Sequence, residues 1–562
     1  MPDHLETYGK WINYAGLDAK TKAELGELRP NEIEDYFKEP LEFGTGGIRG
    51  IMRPGINSMN IYVIRQATQA MANLVKEKKL AEKGVVIAFD SRNGSELFAK
   101  ETAKTFAANG IKAYIFDGIR PTPELSFAIR YKKCAAGINI TASHNPKEYS
   151  GYKAYWEDGG QLSLEDAKLV EAEVKKTDIF GGVKTCGYDE AVKEGLIEKI
   201  GGEIDGAYLE AVRAQSVRDS IKNAGDGFAV VYTPLHGAGH RLVPEALKDL
   251  KNLFTVGEQT IIDGSFPTVR FPNPEHKEVF EAAIEIAKKN SAELIIGTDA
   301  DADRMGIAVR ADSGEYTTLT GNQVGVLLLD YIIAAKKESK TLKASDCAIK
   351  TIVTTELARK ICEANNVKII DVLTGFKFIG GKIKEFEETG ENTFLFGFEE
   401  SYGYLAGTHA RDKDAVVASM LVTEMAAYYR AKNMNLLDAL QELYKKHGYH
   451  NEYTENIKVT GIDWKDQMQK TMADLRKALP KEIGAYKVTG TVDYDDEKTN
   501  TGLPKENVLR FDLENGSKVM IRPSGTEPKI KIYYLILAGC EECAKKQSEN
   551  LMSAMGAILK KQ

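Results

Sequence analysis

The chain has 562 residues, 43% of them apolar and 28% charged; at roughly 150 residues per domain that length suggests about four domains, or three large ones. A net charge of −7 and a pI near 5.8 exclude the basic bias that nucleic acid or an anionic membrane requires, so an anionic substrate would need positive charge gathered locally. No apolar run reaches the roughly 18 residues of a membrane span.

The opening stretch "MPDHLETYGKW" lacks a basic start followed by an apolar region, so a secretory signal is not expected. Six cysteines, Cys134, Cys186, Cys347, Cys362, Cys540 and Cys543, are too sparse for a disulfide scaffold, and a cytoplasmic location follows. "CEEC" near the C-terminus has no second pair or histidine beside it and reads as a helix start with two ordinary thiols.

From about residue 60 helical and strand periods alternate. "YVIRQATQAMANLVKEKK" predicts a helix, "GVVIAFD" a buried strand, "SELFAKETAKTFAANG" a helix closed by glycine, and "IKAYIF" and "AAGINI" two further strands. A pattern then appears three times, in which a helical stretch ("TPELSFAIRYKK", "KEVFEAAIEIAKKN", "FIGGKIKEFEETG") precedes a short apolar strand that breaks into a polar loop. The three loops follow "AAGINI", "AELIIG" and "NTFLFG". Three weakly similar α/β units are expected, each with its chemistry at a strand's C-terminal end, where open sheets place ligands. The last hundred or so residues read as hairpin strands, "NEYTENIKVTG", "AYKVTGTVDY", "NVLRFDLENGSKVMIRPS" and "KIKIYYLILAG", then an amphipathic helix, an α+β module. Boundaries near 202, 315 and 450 divide the chain into 1–202, 203–315, 316–450 and 451–562.

In "GTDADADRMG", alternate residues of an extended loop point the same way, so Asp299, Asp301 and Asp303 converge and need a cation. Three carboxylate oxygens with room for water and a phosphate oxygen favour magnesium; a calcium loop fails because Arg304 and Arg310 stand where it needs glycine and glutamate. Glu399 and Ser401 in "FLFGFEESYGY" suit vicinal sugar hydroxyls, or form an ordinary acidic loop. Arg522, Ser524, Gly525, Thr526 and Lys529 in "VMIRPSGTEPKIKIY" make an anion cradle, with a plain polar hairpin as the competing reading. "LEFGTGGIRGIMRPG" lacks the strand and lysine of a nucleotide P-loop; Arg49 and Arg53 there either face an anion or belong to a flexible turn. Ser143 beside His144 in "TASHNPKEYSGYK" suggests a hydrolase nucleophile and base. Neighbouring side chains diverge in most backbone conformations, however, and the glycine-flanked nucleophile elbow is absent. A serine that carries a phosphoryl group accounts for the triple aspartate and the remote cradle together.

"TASHNPKEYSGYK", "GTDADADR", "GFEESYGY" and "RPSGTEPK", in that order, resemble the four active-site loops of the α-D-phosphohexomutases, and "FGTGGIRG", "VYTPLHGAGH" and "FPNPE" match further. The resemblance, from about Phe43 to Tyr534, is strongest to the branch holding phosphoglucomutases, phosphopentomutases and glucose-1,6-bisphosphate synthases. It implies a heart-shaped α/β molecule of four domains around a central cleft, three similar α/β domains and a C-terminal α+β domain. It also implies Ser143 as the phosphoserine, His144 as a neighbour supporting the loop, and Asp299, Asp301 and Asp303 with a phosphoserine oxygen as Mg2+ ligands, followed by Arg304. Glu399 and Ser401 match the sugar loop, Gly375, Phe376 and Lys377 of "LTGFKFIGG" the loop tied to sugar specificity, and Arg522, Ser524, Gly525 and Thr526 the phosphate loop. Lys153 and Arg49 resemble basic residues near phosphoryl transfer in bacterial members, and Lys413 in "HARDKD" a lysine discussed as a base. Gly403 stands where some members have histidine, which shifts weight to Lys413 or Lys153.

The implied function is interconversion of glucose 1-phosphate and glucose 6-phosphate, with glucose 1,6-bisphosphate as intermediate and activator. Mannose, glucosamine or pentose phosphates, or bisphosphate synthesis, are alternatives on the same scaffold. A non-catalytic scaffolding relative is disfavoured because Ser143 and all three aspartates are kept. The expected partner is a phosphosugar, with no nucleic acid or membrane; monomer and homodimer are both open.

Overall fold

Strands that are apolar at every position need cover on both faces, which a parallel sheet flanked by helices supplies. The computed structural model describes residues 3–44, 46–460, 463–525 and 528–560. It places four fully buried strands inside two sheets: β2 and β4 in the first, β7 and β9 in the second. In chain order the first sheet comprises β1 (Gly47–Ile51), β2 (Val85–Phe89), β3 (Ala113–Phe116), β4 (Ala136–Ile140), β5 (Tyr149–Trp156) and β6 (Ile197–Ile200), in spatial order β1-β5-β4-β2-β3-β6. The second comprises β7 (Ala229–Thr233), β8 (Asn252–Thr255), β9 (Leu294–Thr298), β10 (Met305–Arg310) and β11 (Tyr316–Leu319), in order β11-β10-β9-β7-β8.

Both sheets share a core: an antiparallel return strand (β5, β10), then the strand that ends in the polar motif (β4, β9), then two parallel strands. The return strands were not expected from the sequence. Their polar and glycine residues hide a strand period, yet Ser150 to Tyr155 are all buried. Each motif therefore occupies the turn of a hairpin, and Lys153 projects from a strand that pairs Asn139 with Lys153.

The chain forms two compact units. The first runs to Leu319 and adds Gly380–Glu388 and Gly403–Tyr428; the second takes Thr320–Ile379, Thr389–Tyr402 and the chain from Tyr429 on. In the second unit β12 (Asp346–Thr351) lies parallel to both β13 (Lys368–Val372) and β14 (Thr393–Glu399). The short β15 (Gly403–Ala406) belongs to the first unit. The C-terminal sheet is antiparallel, with β16 (Tyr449–Lys458), β17 (Glu482–Ile483), β18 (Tyr486–Asp493), β19 (Leu509–Leu513), β20 (Lys518–Pro523) and β21 (Lys529–Ala538) in order β16-β21-β20-β19-β18-β17. Its "ENG" turn carries Gly516 at φ +84°. The helix Glu541–Lys560 packs Ala544, Leu551 and Met555 on this sheet's core. Among the described residues no helix is long and apolar enough to cross a membrane.

Three N-terminal helices, His4–Ile12, Ala19–Gly26 and Pro30–Phe37, were not read from the sequence. They close over Trp11, whose ring meets Phe37, Tyr62 and Phe180 edge-on at 5.3 to 5.7 Å. Trp11→Ala is expected to destabilise the first unit by about 3–5 kcal/mol. The check is a lower urea midpoint.

Candidate active site

Thr141 follows the end of β4, and the backbone then turns through Ser143 at φ +51°, a left-handed conformation that costs a residue with a Cβ on the order of 1–3 kcal/mol. Side chains of the strand ends hold it there. Thr141 Oγ1 accepts the Ser143 N–H at 2.8 Å and donates to Asp90 Oδ2 at 2.7 Å. Arg92 is 2% exposed. Its guanidinium donates to the carbonyls of Ser143 (2.6 Å), Asn145, Pro146 (2.6 Å) and Tyr149 (3.2 Å), and its Nε lies 3.1 Å from Asp90 Oδ2. A fork with several fixed donors suits this task where a lysine would not.

The same turn explains a departure from the sequence reading. Ser143 Oγ and His144 Nδ1 do not diverge; they lie 3.2 Å apart, because the left-handed residue swings neighbouring side chains together. The serine hydroxyl itself donates to Asp299 Oδ2 at 2.7 Å, away from the imidazole. Burial, with the Arg304 and Arg49 charges, holds His144 well below the usual histidine range. Arg49, on β1, donates to Asn145 Oδ1 at 2.8 Å.

Asp299, Asp301 and Asp303 are all fully buried and each offers an oxygen within 4.8 Å of the others'. The loop is wound tightly: Asp299 Oδ1 accepts the N–H of Asp303 (3.1 Å) and Arg304 (3.0 Å), and Ala302 sits at φ +50°. Thr122 fixes the middle member twice, its Oγ1 donating to Asp301 Oδ2 (2.7 Å) and its N–H to the Asp301 carbonyl (2.8 Å); Asn139 Nδ2 donates to Thr122 Oγ1 at 2.7 Å. Gly237 packs against this loop so closely that a Cβ there would stand 2.7 Å from Ala300 Cα and the Asp299 carbonyl oxygen.

Lys153 Nζ reaches Asp301 Oδ2 (2.7 Å) and Asp303 Oδ2 (3.0 Å), and Lys413 Nζ reaches Asp303 Oδ2 (2.9 Å). Against burial, Lys153 and Lys413 hold Asp303 well below the carboxylate range, and Lys153 lowers Asp301. Burial and the other two carboxylates push Asp299 well above it. Asp412 sets Lys413 in place, accepting from Tyr155 Oη (2.9 Å) and Gln161 Nε2 (3.2 Å) while its Oδ1 lies 3.3 Å from Lys413 Nζ. Asp301 Oδ1 and Asp303 Oδ1 are buried and accept no hydrogen bond among the described residues. Buried carboxylate oxygens without donors are costly, so the triad fits a hard cation.

The first unit thus gathers Ser143, His144, Lys153, Arg49, Lys413, Arg304 and the three aspartates. Arg304 also pairs with Glu275. The remaining candidates belong to the second unit. Gly375 has φ +119°, and the helix Phe376–Thr389 opens on the buried Phe376 with Lys377 next. Burial and the Arg522 charge pull Lys377 down to about 8, against the opposing pull of Glu506. Arg522 Nε donates to Glu506 Oε1 at 2.6 Å, and the Ser524 N–H closes its turn on the Lys529 carbonyl at 2.9 Å. Glu399 ends β14, 5% exposed, with Ser401 two residues on. Gly525 is described; Thr526 lies outside the described residues.

Sequence reasoning missed Asp90, Arg92, Thr122, Asn139, Gly237 and Asp412. For Asp90 and Arg92 a signal existed: "DSR" follows β2 at its C-terminal end, where open sheets gather polar function. The others reveal themselves only through contacts across 17 to 257 residues of chain.

The arrangement sets a buried serine hydroxyl and two lysine ammonium groups against an acidic cluster that can hold a cation. Four parts of the chain match the phosphoglucomutase/phosphomannomutase profiles: α/β/α domain I over 40–179, domain II over 206–314, domain III over 320–447 and the C-terminal domain over 457–534. The phosphoglucomutase of Staphylococcus haemolyticus is 36% identical over 515 residues, 89% of this chain and 91% of that protein. Two solved structures share the fold. The phosphoglucomutase pp63/parafusin of Paramecium has TM-score 0.69 at 18% identity, covering 90% of this chain and 93% of its own. The N-acetylphosphoglucosamine mutase of Aspergillus fumigatus, solved with GlcNAc-6P and magnesium, has TM-score 0.51 at 12% identity, covering 99% of each. The chain belongs to the phosphoglucomutase/phosphomannomutase family. It is a mutase of the four-domain phosphohexomutase architecture.

Two substitutions test this geometry. Arg92→Lys keeps the charge but loses the fork, and should lower kcat by about 10²-fold through misplacement of Ser143, with little change in KM. Gly237→Ala should weaken divalent-cation affinity by about 10- to 100-fold, measured by calorimetric titration of the purified protein.

Proposed function

We propose that this mutase interconverts glucose 1-phosphate and glucose 6-phosphate through a phosphorylated Ser143. The observation that carries the reading is the Ser143 hydroxyl on Asp299, beside two aspartate oxygens without donors among the described residues and two lysine ammonium groups. Asp299, Asp301 and Asp303 hold the cation. Oxygen-only donors and a phosphate oxygen suit Mg2+, which when bound neutralises charge on the transferring phosphoryl group. The phosphoryl group leaves Ser143 Oγ for the free sugar hydroxyl: one P–O bond breaks, another forms, and the hydroxyl proton passes to a basic side chain. Lys153 and Lys413 are the groups at the triad for that role: the one that enters the step as a neutral amine accepts the proton, the other as an ammonium can return one to Ser143 Oγ, and Arg49 and Arg304 add positive charge. The resulting glucose 1,6-bisphosphate returns its other phosphate to Ser143, so the same compound serves as activator for unphosphorylated enzyme. Glu399 and Ser401 accept and donate hydrogen bonds to sugar hydroxyls. Arg522, Ser524, Gly525 and Thr526 hold the phosphate that is not reacting, and Lys377 at the Gly375–Lys377 turn adds a cation for it.

Magnesium-dependent turnover of glucose, mannose and ribose 1-phosphates, primed with a trace of glucose 1,6-bisphosphate, tests the reading. Glucose 1-phosphate should turn over fastest and Ser143→Ala should be inactive, with wild-type intact mass showing one added phosphoryl group that the variant lacks. Full activity of Ser143→Ala would sink the mechanism, and preference for another sugar would reassign the substrate. Lys153→Ala and Lys413→Ala, assayed together, identify the proton-transfer group as the one with the larger fall in kcat.

Lys377 generates a pH prediction. It is charged below about 8 and loses its proton as pH rises through that value. The apparent KM should therefore rise above pH 8 in the wild type, and Lys377→Met should flatten that rise and raise KM by about tenfold at neutral pH.

A further inference from the structure

Four cysteines, Cys134, Cys186, Cys347 and Cys362, are free thiols, three of them buried. Burial pushes Cys134 and Cys362 up to about 12 and raises Cys186. Because the thiolate is the reacting species, these groups are protected from exchange. Cys540 and Cys543 are both exposed, and the structure joins them in a disulfide, where the sequence reading expected two ordinary thiols.

Cys540 immediately precedes the helix Glu541–Lys560, and its carbonyl accepts the Ala544 N–H at 2.9 Å. The Cys540 Sγ accepts the Cys543 N–H at 3.1 Å. A first-turn amide therefore points at this sulfur, and that donor with the positive end of a long helix favours a thiolate there. A bridge across two residues is a small loop, the span at which a disulfide restricts the unfolded chain least. Its position is a junction. The Glu541 charge acts on Tyr444 and Tyr449, whose ring centroids are 4.4 Å apart across Gly448 (φ +94°), where the helix Leu436–His447 gives way to β16.

We propose that Cys540 and Cys543 form a reversible thiol–disulfide exchange site that reacts with small disulfides of the glutathione type. In oxidation the Cys540 thiolate attacks the oxidant's disulfide, whose S–S bond breaks to release one thiol. The Cys543 sulfur, after losing its proton, attacks the mixed disulfide and releases the second. Two protein thiols are oxidised, one oxidant disulfide is reduced, and the protons end on the released thiols. In a reducing compartment such bridges are transient and redox-sensing, which matches an exposed pair beside a junction between elements.

The test uses the full-length protein in glutathione buffers from fully reduced to fully oxidised, quenched by alkylation and mapped by mass. The expected result is a single two-electron transition at Cys540 and Cys543, with Cys134, Cys347 and Cys362 unchanged. Cys543→Ser should accumulate one glutathione on Cys540, and Cys540→Ser should react at least about tenfold more slowly, as a loss of the helix-assisted thiolate requires. Circular dichroism verifies that both variants are folded; each exchanges only an exposed sulfur for oxygen. A pair that stays bonded in excess dithiothreitol, or stays reduced in oxidised glutathione, overturns the proposal, and equal reactivity of the two variants overturns the assignment of Cys540 as nucleophile.

Discussion

Three carboxylates within 4.8 Å of one another, all fully buried, are the constraint around which the first unit is organised. Like charges at that distance and away from water repel strongly, so the protein must surround them with positive charge and fixed donors. It does so with Lys153 from one strand, Lys413 from the distant 403–428 segment, Thr122 from a helix start and the loop's own amides. Asp301 Oδ1 and Asp303 Oδ1 stay without donors among the described residues. The balance is thus left incomplete on one side, which is where a cation and an anionic phosphoryl group fit.

That demand gives the shared strand order its purpose. In both large sheets of the first unit a hairpin places the motif at the turn, and the return strand brings a second set of side chains to the same end. On the serine side the return strand delivers Lys153; on the aspartate side Arg304 leads into it. The strained Ser143 backbone persists because Arg92, Thr141 and Asp90 over-determine it, with four carbonyl acceptors on a single guanidinium. Rigid placement of this kind is what phosphoryl transfer needs, since its catalysis is mostly positioning and charge.

The second unit handles charge differently. Arg522, Glu506 and Lys377 interact in a half-open arrangement in which burial has already loosened the lysine's proton. A net charge of −7 is therefore no obstacle to an anionic substrate, because the cations are concentrated at loops. The C-terminal sheet that carries the Arg522 turn has its own apolar core, with Met468, Phe511, Ile532 and Leu551 in one cluster. The strands beside the turn also pack Met520, Tyr533 and Leu535 against Ile352, Val353 and Leu373, so its frame is shared with the end of the parallel sheet of β12, β13 and β14.

Much of this was legible in the sequence. Alternation of strand and helix periods, the polar loops after apolar strands, the carboxylate spacing of Asp299, Asp301 and Asp303 and the hairpin signals of the last hundred residues depend on neighbours within a few positions. So does the conflict that marks a site, polar residues ending a run of buried ones. Other features had to await the tertiary structure. The return strands lacked an alternating pattern because both of their faces are covered. Thr122 on Asp301, Tyr155 on Asp412 and Arg92 across the serine loop are contacts between remote segments, and no local pattern encodes a partner 51 to 257 residues away. The left-handed turn that brings His144 to Ser143 is of the same kind, since residues elsewhere in the fold hold it. The sequence alone determined which buried strands end in polar loops, because that pattern is local; tertiary structure decided which of those residues meet and in what charge state, because burial and distance set both.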